Sequence, residues 1–468
     1  MPSCFANRAN ADTCILLPVF TTDYKAWLEK QPAAWRTWLA ATGFRGDAGE
    51  VGFLPPIDGP AINGQEGRPA QAVIAVEAPW TVWSLAGLPS SLPAGRYRLE
   101  ADLTPDAATR LALGWALGCY RFARYRKNDR AVPELVWPAG ADRKRVESMA
   151  AAISEVRDLV NTPAGDLGPE QLADAALALA GSFKAKAKVT VGEALLKNNY
   201  PAIHTVGRAA AQEPRLIDFS WGAKGDPRVT LVGKGVCFDT GGLDLKPSSG
   251  MLMMKKDMGG AAQALGLARM IMAAGLKLRL RVLIPAVENA VSGNAFHPMD
   301  IIRMRNGLSV EVGNTDAEGR LILADALAEA DSEKPELLID FATLTGAARV
   351  ALGPDLPAFY CNDETTAKGL LEASEEEADP FWRLPLYQPY KRMLKNKIAD
   401  LSSTGSGGFA GSITAALFLQ HFVSETTPWV HFDVYAWNPS DRPGRPEGGE
   451  AQTIRAVFAY LAGRYGKA

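Results

Sequence analysis

The chain has 468 residues, of which 47% are hydrophobic and 22% charged, and its formal net charge is −2. This length predicts two domains, the composition is typical of a soluble globular protein, and the near-neutral charge gives no overall support for nucleic acid binding. No apolar run approaches the roughly eighteen residues that would span a bilayer, and no signal peptide is evident, so we expect a cytoplasmic protein. Five scattered cysteines without a C-x-x-C pattern indicate reduced thiols.

The first third of the chain predicts short strands and then helices. Residues 13–104 contain four apolar runs separated by Gly and Pro, namely TCILLPVF, QAVIAVE, TVWSLAGL and YRLEADL. A helical pattern covers 105–126, and two more helices flank a Pro/Gly break near 163–168. We therefore predict a smaller N-terminal α/β domain, ending in a linker helix, over 1–160, and a catalytic domain over 161–468.

The remainder alternates between strand and helix patterns. The runs RVTLVGKGV, LRLRVLIPA and ELLIDFATL predict buried strands, whereas GGAAQALGLARMIMAAG, AEGRLILADALAEAD and GSITAALFLQHFV predict helices. This alternation predicts an α/β/α sandwich around a mixed central sheet. In such folds the loops at the carboxyl ends of the strands carry the chemistry.

One of these helices has an unusual start. The segment Gly313–Leu327 places Asp316, Glu318 and Arg320 at alternate positions before an apolar run. One interpretation is a helix cap, because Thr315 and Glu318 match the S/T-x-x-E capping box and acids suit the first turn of a helix. The other is that the three charges converge on a ligand.

A second charged stretch lies at 231–262. Lys234 directly follows a predicted buried strand, Asp239 lies in a Gly-rich turn with Lys246 beyond it, and Asp257 precedes two glycines. A buried ammonium needs anionic partners, and several acids close together repel one another unless a cation joins them. Because no phosphate-loop, dinucleotide or H-E-x-x-H motif is present, these residues predict a divalent metal site built mainly from carboxylates.

Several long motifs in this part of the chain resemble those of the leucyl aminopeptidase (M17) family of metallo-aminopeptidases. They are GKGVCFDTGG, KKDMGGAA and NTDAEGRL, supported by NTPAGDLGPEQLA, ATLTGAA and AGSITAALFL. The stretch NAFHPMDIIRMRNGLSVEVGNTDAEGRL is most similar to the shorter bacterial, peptidase B-like members of the family. The resemblance is strong over 230–350, recognisable over about 160–465 and weak before 160.

The resemblance implies a role for each matching residue. It assigns five metal ligands, two catalytic residues that are not principal ligands, and three residues that bind substrate. The ligands are Lys234, Asp239, Asp257, Asp316 and Glu318; the catalytic residues are Lys246 and Arg320; the substrate-binding residues are Leu344, Thr343 and Met254.

The resemblance also implies an activity: metal-dependent release of N-terminal Leu, other apolar residues or a broad range of residues from peptides with a free N-terminus. Two divalent ions, Zn²⁺ or Mn²⁺ with Mg²⁺ and Co²⁺ as further candidates, would activate a bridging water. Lys246 would stabilise the gem-diolate, and Arg320 would hold a bicarbonate that shuttles protons. A homo-hexamer is implied in the same way.

Two other classes of function stay open at this point. A different two-metal hydrolase, such as a phosphoesterase, uses similar carboxylate clusters, although a lysine ligand and the small number of histidines count against it. A DNA-binding role is supported by the basic stretch 121–130 alone, which is more simply a solvated helix end with a loop, so we expect no nucleic acid partner.

Overall fold

The computed structural model describes residues 4–55, 70–126 and 131–466. Contacts between Cα atoms divide the chain into two compact units. The first comprises Met1–Ser154 and Ser440–Glu447, and the second comprises Glu155–Pro439 and Gly448–Ala468. The predicted domain boundary at residue 160 stays a prediction. Within the described ranges, every helix is too short or too polar to cross a bilayer.

The first unit contains a six-stranded sheet in the order β1-β6-β5-β2-β4-β3, in which all neighbours are parallel except β3 and β4. Its strands are β1 (Phe5–Ala6), β2 (Cys14–Phe20), β3 (Val51–Leu54), β4 (Gln71–Val76), β5 (Arg96–Leu99) and β6 (Glu134–Val136). Its helices are α1 (Tyr24–Glu29), α2 (Ala33–Ala41), α3 (Leu88–Ser91) and α4 (Pro105–Gly118), and α5 (Arg143–Asn161) continues into the second unit.

Two predictions for this unit are wrong in part. The run TVWSLAGL is not a strand but a series of turns, because the Thr81 hydroxyl accepts the Trp83 N–H and the Ser84 hydroxyl accepts the Thr81 N–H. Such local side-chain bonds compete with strand pairing. The helix predicted over 105–126 ends at Gly118.

The second unit is built on a nine-stranded mixed sheet in the order β16-β15-β18-β14-β9-β11-β8-β7, with β10 paired to β11. Its members are β7 (Lys186–Val191), β8 (Arg215–Trp221), β9 (Arg228–Gly233), β10 (Gly235–Asp239), β11 (Arg279–Asn289), β14 (Leu337–Ala342), β15 (Ala358–Cys361), β16 (Trp382–Arg383) and β18 (Trp429–Asp433). Two small sheets use β12 (Ile301–Arg303), β13 (Ser309–Glu311), β17 (Leu401–Ser402), β19 (Trp437–Asn438) and β20 (Gly448–Gly449).

The helices of this unit form two groups that both contact β9: α10 packs with α15, and α11 packs with α8 and α14. The helices are α6 (Pro169–Ser182), α7 (Glu193–Lys197), α8 (Pro201–Gly207), α9 (Ser248–Met251), α10 (Gly259–Ala274), α11 (Glu318–Ser332), α12 (Gly346–Leu352), α13 (Glu364–Glu376), α14 (Gly411–Gln420) and α15 (Ile454–Tyr465), with 3-10 turns at Met254–Met258, Thr315–Ala317 and Gln388–Leu394.

The central strands are apolar because helices cover both faces of the sheet. Every residue of β14 and β18 is buried, as is nearly all of α10. The three predicted strands and three predicted helices of this part are confirmed, and so is the two-domain α/β fold class.

The sheet brings one set of strand ends together. β9, β14 and β18 are neighbours and run parallel, so their carboxyl ends lie at one edge. Lys234 follows β9, Thr343 follows β14 and Asp433 ends β18. The charged segments predicted from the sequence therefore meet at this edge.

Candidate active site

Lys234 is a deeply buried member of the site, with 3% of its surface exposed. Its Nζ lies 2.7 Å from Asp257 Oδ2 and 2.9 Å from Glu318 Oε1, and it donates a hydrogen bond of 3.0 Å to the Thr343 carbonyl. Its backbone continues the β9 ladder by donating to the Phe341 carbonyl. A side chain at a strand end thus joins two acids from separate segments.

Lys246 joins a second pair of acids. Its Nζ lies 2.9 Å from Asp239 Oδ2 and also contacts Asp316 Oδ1. Asp239 ends β10 and is buried, whereas the Asp316 side chain is one-third exposed. Asn289 donates to Asp239 Oδ1 over 2.8 Å and fixes that carboxylate from the other side.

The start of α11 does not form the capping box that Thr315 and Glu318 suggest. The Asn314 side chain accepts the Asp316 N–H instead, and the Thr315 hydroxyl donates to the Gly241 carbonyl. Glu318 is the first residue of α11 and points to Lys234. Its carboxylate is therefore part of the charged cluster.

The cluster contains more acid than base, since four carboxylates face two ammonium groups. Burial, followed by the charge of Asp239, raises the pKa of Glu318 to about 8 and that of Asp316 to about 6. Burial alone would lower the pKa of Lys234, but the charges of Asp257 and Glu318 outweigh it and raise that pKa. The site consequently has an unmet need for positive charge.

The donor set fits divalent ions. Asp239, Asp316 and Glu318 each bring one carboxylate oxygen within 4.8 Å of the others. Asp257 Oδ2 and Glu318 Oε1 are buried and, among the described residues, have no partner with hydrogen-bond geometry although both lie close to Lys234. Carboxylate oxygens together with an amine nitrogen suit Zn²⁺ or Mn²⁺.

Arg320 lies two residues after Glu318 on α11 and is 8% exposed. Its Nη1 donates to the Ser403 carbonyl over 2.8 Å, whereas its Nε is buried without a hydrogen-bond partner in the described part of the chain. Burial outweighs the nearby acids Glu318 and Asp433 and lowers the pKa of its guanidinium to about 10. The group still carries a positive charge at neutral pH and can donate a further hydrogen bond.

A cavity of about 150 Å³ opens beside the cluster. Among the described residues, eight of the ten predicted site residues line it, and Glu318 and Arg320 are the two that do not. The eight are Lys234, Asp239, Lys246, Asp257, Asp316, Met254, Thr343 and Leu344.

Two of the three predicted substrate residues, Thr343 and Leu344, lie just before α12, and the third, Met254, lies in a separate turn. The Thr343 hydroxyl donates to Asp257 Oδ1 over 2.7 Å. The N–H of Leu344 donates to Asp433 Oδ1, so the backbone group that Leu344 can offer to a substrate is its carbonyl oxygen. Met254 shares the short turn Met254–Met258 with Asp257 and contributes an apolar wall.

Sequence reasoning missed three contributors. Asn289 orients Asp239 from fifty residues away, and Asp433 holds the loop of Leu344 from a different strand. At Gly319 a Cβ atom would lie 2.5 Å from Cε of Lys234, so a larger residue there would displace that side chain from its present position. The glycine between Glu318 and Arg320 was a visible signal in the sequence, whereas no local signal marks the other two.

The basic stretch 121–130 belongs to the first unit, and the expectation that it binds no nucleic acid stays a prediction. Residues 121–126 lie beyond the end of α4, and Arg121 donates to the carbonyls of Gly118 and Tyr120. Residues 127–130 fall outside the described residues.

Comparison with known proteins gives the family. Residues 154–458 match the catalytic-domain model of the cytosol aminopeptidase family, and residues 15–138 match the M17 aminopeptidase N-terminal domain. A peptidase B of Pectobacterium carotovorum is 44% identical over 335 residues, covering 70% of this chain and 76% of the relative. A peptidase B of an Enterobacter species is 46% identical over 305 residues, covering 63% and 71%.

Solved structures match this chain over a larger share of its length than the two peptidase B relatives do. A cytosol aminopeptidase from Coxiella burnetii is 47% identical, with a TM-score of 0.93 over 99% of both chains. The bottromycin maturation enzyme BotP, solved in complex with Mn, is 32% identical, with a TM-score of 0.85 over 97% of this chain and 100% of that one. The protein therefore belongs to the cytosol aminopeptidase (M17) family and is a hydrolase of the aminopeptidase class.

Proposed function

We propose that the protein releases N-terminal amino acids from peptides with the help of two divalent ions. The observation that carries this proposal is the convergence of four carboxylates and two lysines beside one cavity. When bound, the ions would act as Lewis acids and lower the pKa of a water molecule so that it attacks near neutral pH. Asp239, Asp257, Asp316 and Glu318 would hold them together with Lys234, whose pKa the bound ions would have to lower so that it can ligate as the neutral amine.

The remaining residues would bind and orient the peptide. The Lys246 ammonium lines the cavity, where it can stabilise negative charge that develops on the scissile carbonyl oxygen. The Leu344 carbonyl can accept a hydrogen bond from a substrate N–H. The fork of Arg320 can hold a planar anion such as bicarbonate, which would relay a proton to the leaving amine.

The cavity supports a broad preference for the first side chain. Met254 gives one adaptable apolar wall. Lys256 and Arg349 line the same cavity and lie 5.1 and 4.6 Å from the centroid of the Tyr435 ring. We propose that Leu and other apolar residues are accepted, and the substrate panel should include an N-terminal Glu because two cations face the pocket.

The test compares matched peptides with free and acetylated N-termini, before and after chelation, with Mn²⁺ or Zn²⁺ added back. We expect rapid release of the first residue from the free peptide, at least about a hundredfold slower cleavage of the acetylated one, and dependence of both on metal. Similar rates on the two peptides would contradict the proposal. A phosphate ester in the same panel checks the phosphoesterase alternative, which membership of a peptidase family does not favour.

By family resemblance we further propose a homo-hexamer in the cytoplasm. Analytical ultracentrifugation of the purified chain tests the assembly: a mass near six times 50.1 kDa is expected, and a stable monomer would contradict it.

A further inference from the structure

Asp433 lies at the cavity but has no role in the proposed metal binding or proton transfer. It ends β18, is 4% exposed and lines the cavity. Its Oδ1 accepts the N–H groups of Leu344 and Thr345, both over 3.1 Å. Its Oδ2 accepts the hydroxyls of Thr345, over 2.6 Å, and Ser412, over 3.2 Å. One carboxylate thus accepts four hydrogen bonds, two of them from the consecutive amides of Leu344 and Thr345.

A second layer orients the carboxylate itself. The Tyr360 hydroxyl donates to Ser412 Oγ over 2.8 Å, and Tyr360 is fully buried on β15, the antiparallel neighbour of β18. With its oxygen accepting from Tyr360, the Ser412 hydroxyl turns its own hydrogen to Asp433. The chain of bonds runs from the sheet interior to the loop.

The loop is held from the opposite side by the charged cluster. Lys234 donates to the Thr343 carbonyl, and the Thr343 hydroxyl donates to Asp257. Residues 343–345 are therefore fixed between the proposed metal ligands and Asp433. The Leu344 carbonyl lies in the same planar peptide group as the Thr345 N–H and points the opposite way. Because Asp433 accepts that N–H, this carboxylate sets the direction of the Leu344 carbonyl.

We propose that Asp433 is a positioning residue, which aims the Leu344 carbonyl at the substrate through the Tyr360–Ser412–Asp433 relay. This inference rests on the proposed aminopeptidase function. A displacement of about 1 Å in a group that orients substrate can cost about a hundredfold in rate. A buried amide without an acceptor will also turn to find another partner, so loss of the carboxylate should move the loop.

The expected kinetic result separates this role from a merely structural one. Asp433→Ala should lower kcat about 10- to 100-fold, change KM less than about threefold, and leave the metal content per chain unchanged. Asp433→Asn should recover most of the loss, because its one oxygen can accept both amides while the hydroxyls of Thr345 and Ser412 turn to accept from its nitrogen. Tyr360→Phe should lower kcat by a smaller factor, about two- to fivefold.

Hydrogen exchange measures the position of the loop without reference to activity. The amides of Leu344 and Thr345 should exchange at least about tenfold faster in Asp433→Ala than in the wild type. Asp379→Ala is the matched control, since Asp379 is a buried carboxylate that accepts the N–H groups of Thr453 and Arg455 at the start of α15. That variant should raise exchange near 453–455 alone and keep kcat within about twofold.

Wild-type exchange at Leu344 and Thr345, or wild-type kcat, in Asp433→Ala would overturn the proposal. So would a parallel loss of metal, which would place the effect in the metal site. If Asp433→Ala does not fold, the double variant Ser412→Ala/Tyr360→Phe tests the relay instead. Wild-type exchange at Leu344 and Thr345 together with wild-type kcat in the double variant would contradict the relay. A wild-type protein without activity on any free-amine substrate would instead overturn the proposed function, and the exchange result would still report the role of Asp433.

Discussion

At the scale of single residues, the oxygens of Glu318 belong to the metal site and not to a helix cap. We expect Glu318→Gln to fold with a stability close to that of the metal-free wild type, because glutamine has the same shape. Its metal content should fall, and kcat should drop at least about a hundredfold, since a neutral amide is a poor ligand. Elemental analysis, thermal unfolding and peptide hydrolysis measure the three effects.

The control for this variant is Glu364→Gln, which changes a carboxylate that pairs with Arg383 at the surface. It should keep both metal and activity. Full metal occupancy in Glu318→Gln would remove Glu318 from the ligand set.

Asp325 on α11 gives a prediction about pH. It is fully buried and accepts the N–H groups of Ala202 and Arg305. Burial outweighs these hydrogen bonds and raises its pKa to about 7, compared with about 3.9 in an unfolded chain. The folded state therefore holds this proton more tightly, so the resulting stability is fully present below about pH 4 and is lost as the pH rises through 7.

Asp325→Asn removes that titration. The free energy of unfolding of the variant should fall less between pH 5 and pH 8 than that of the wild type, by on the order of a few kcal/mol at most. Urea unfolding at several pH values measures how the free energy of unfolding changes with pH, as one slope for the wild type and one for the variant. Equal slopes would mean that Asp325 does not titrate in this range.

The ten predicted site residues could be named from the sequence because they lie in motifs that resemble those of the family, and several of them stand beside glycines or a predicted strand end. Asn289 and Asp433 were not visible, since their partners are fifty and about ninety residues away. A contact of that separation depends on the order of strands in the sheet, which local patterns do not contain.

At the scale of elements, the approach of α10 to β14 depends on Gly260. A Cβ atom there would collide with the backbone carbonyl of Phe341, which cannot move without disturbing the strand. We expect Gly260→Ala to lower the free energy of unfolding by about 1–3 kcal/mol. Gly463→Ala in α15 is the control, because a Cβ atom at that position would have no neighbouring atom within 4 Å, and it should be neutral or slightly stabilising. A variant at 260 as stable as the wild type would show that the helix can shift freely.

Elements of the catalytic part could be predicted because they are long and strongly periodic, as in α10 and β11. The strand predicted for TVWSLAGL, residues 81–88, was wrong. Its apolar residues suit a strand, but Thr81 and Ser84 form local hydrogen bonds instead. The end of α4 at Gly118 could not be located either, since the aromatic and basic residues after it continue a helical pattern.

At the scale of the whole molecule, metal removal should affect stability as well as activity. Ions that bind the folded chain alone stabilise it by mass action. Chelation should lower the melting temperature and abolish hydrolysis, and titration with Mn²⁺ or Zn²⁺ should restore both together. Glu318→Gln should show little response to added metal. A melting temperature unaffected by chelation would contradict a contribution of the ions to stability.

The family resemblance in the sequence was weak before residue 160, whereas the solved relative from Coxiella burnetii matches 99% of the chain. The difference has a physical origin. Motifs persist where side chains perform chemistry, as around 230–350. The N-terminal unit needs only apolar residues of suitable size at its buried positions, such as Leu39 on α2 and Val73 on β4.

The short turn Met254–Met258 has a consequence for redesign. It carries Asp257 for the charged cluster together with Met254 and Lys256 for the pocket, so changing the specificity there endangers the chemistry. Another part of the cavity wall, formed by lining residues between Arg349 and Pro357, carries no proposed ligand. Laboratory evolution toward a new first-residue preference should therefore accumulate its substitutions on that wall.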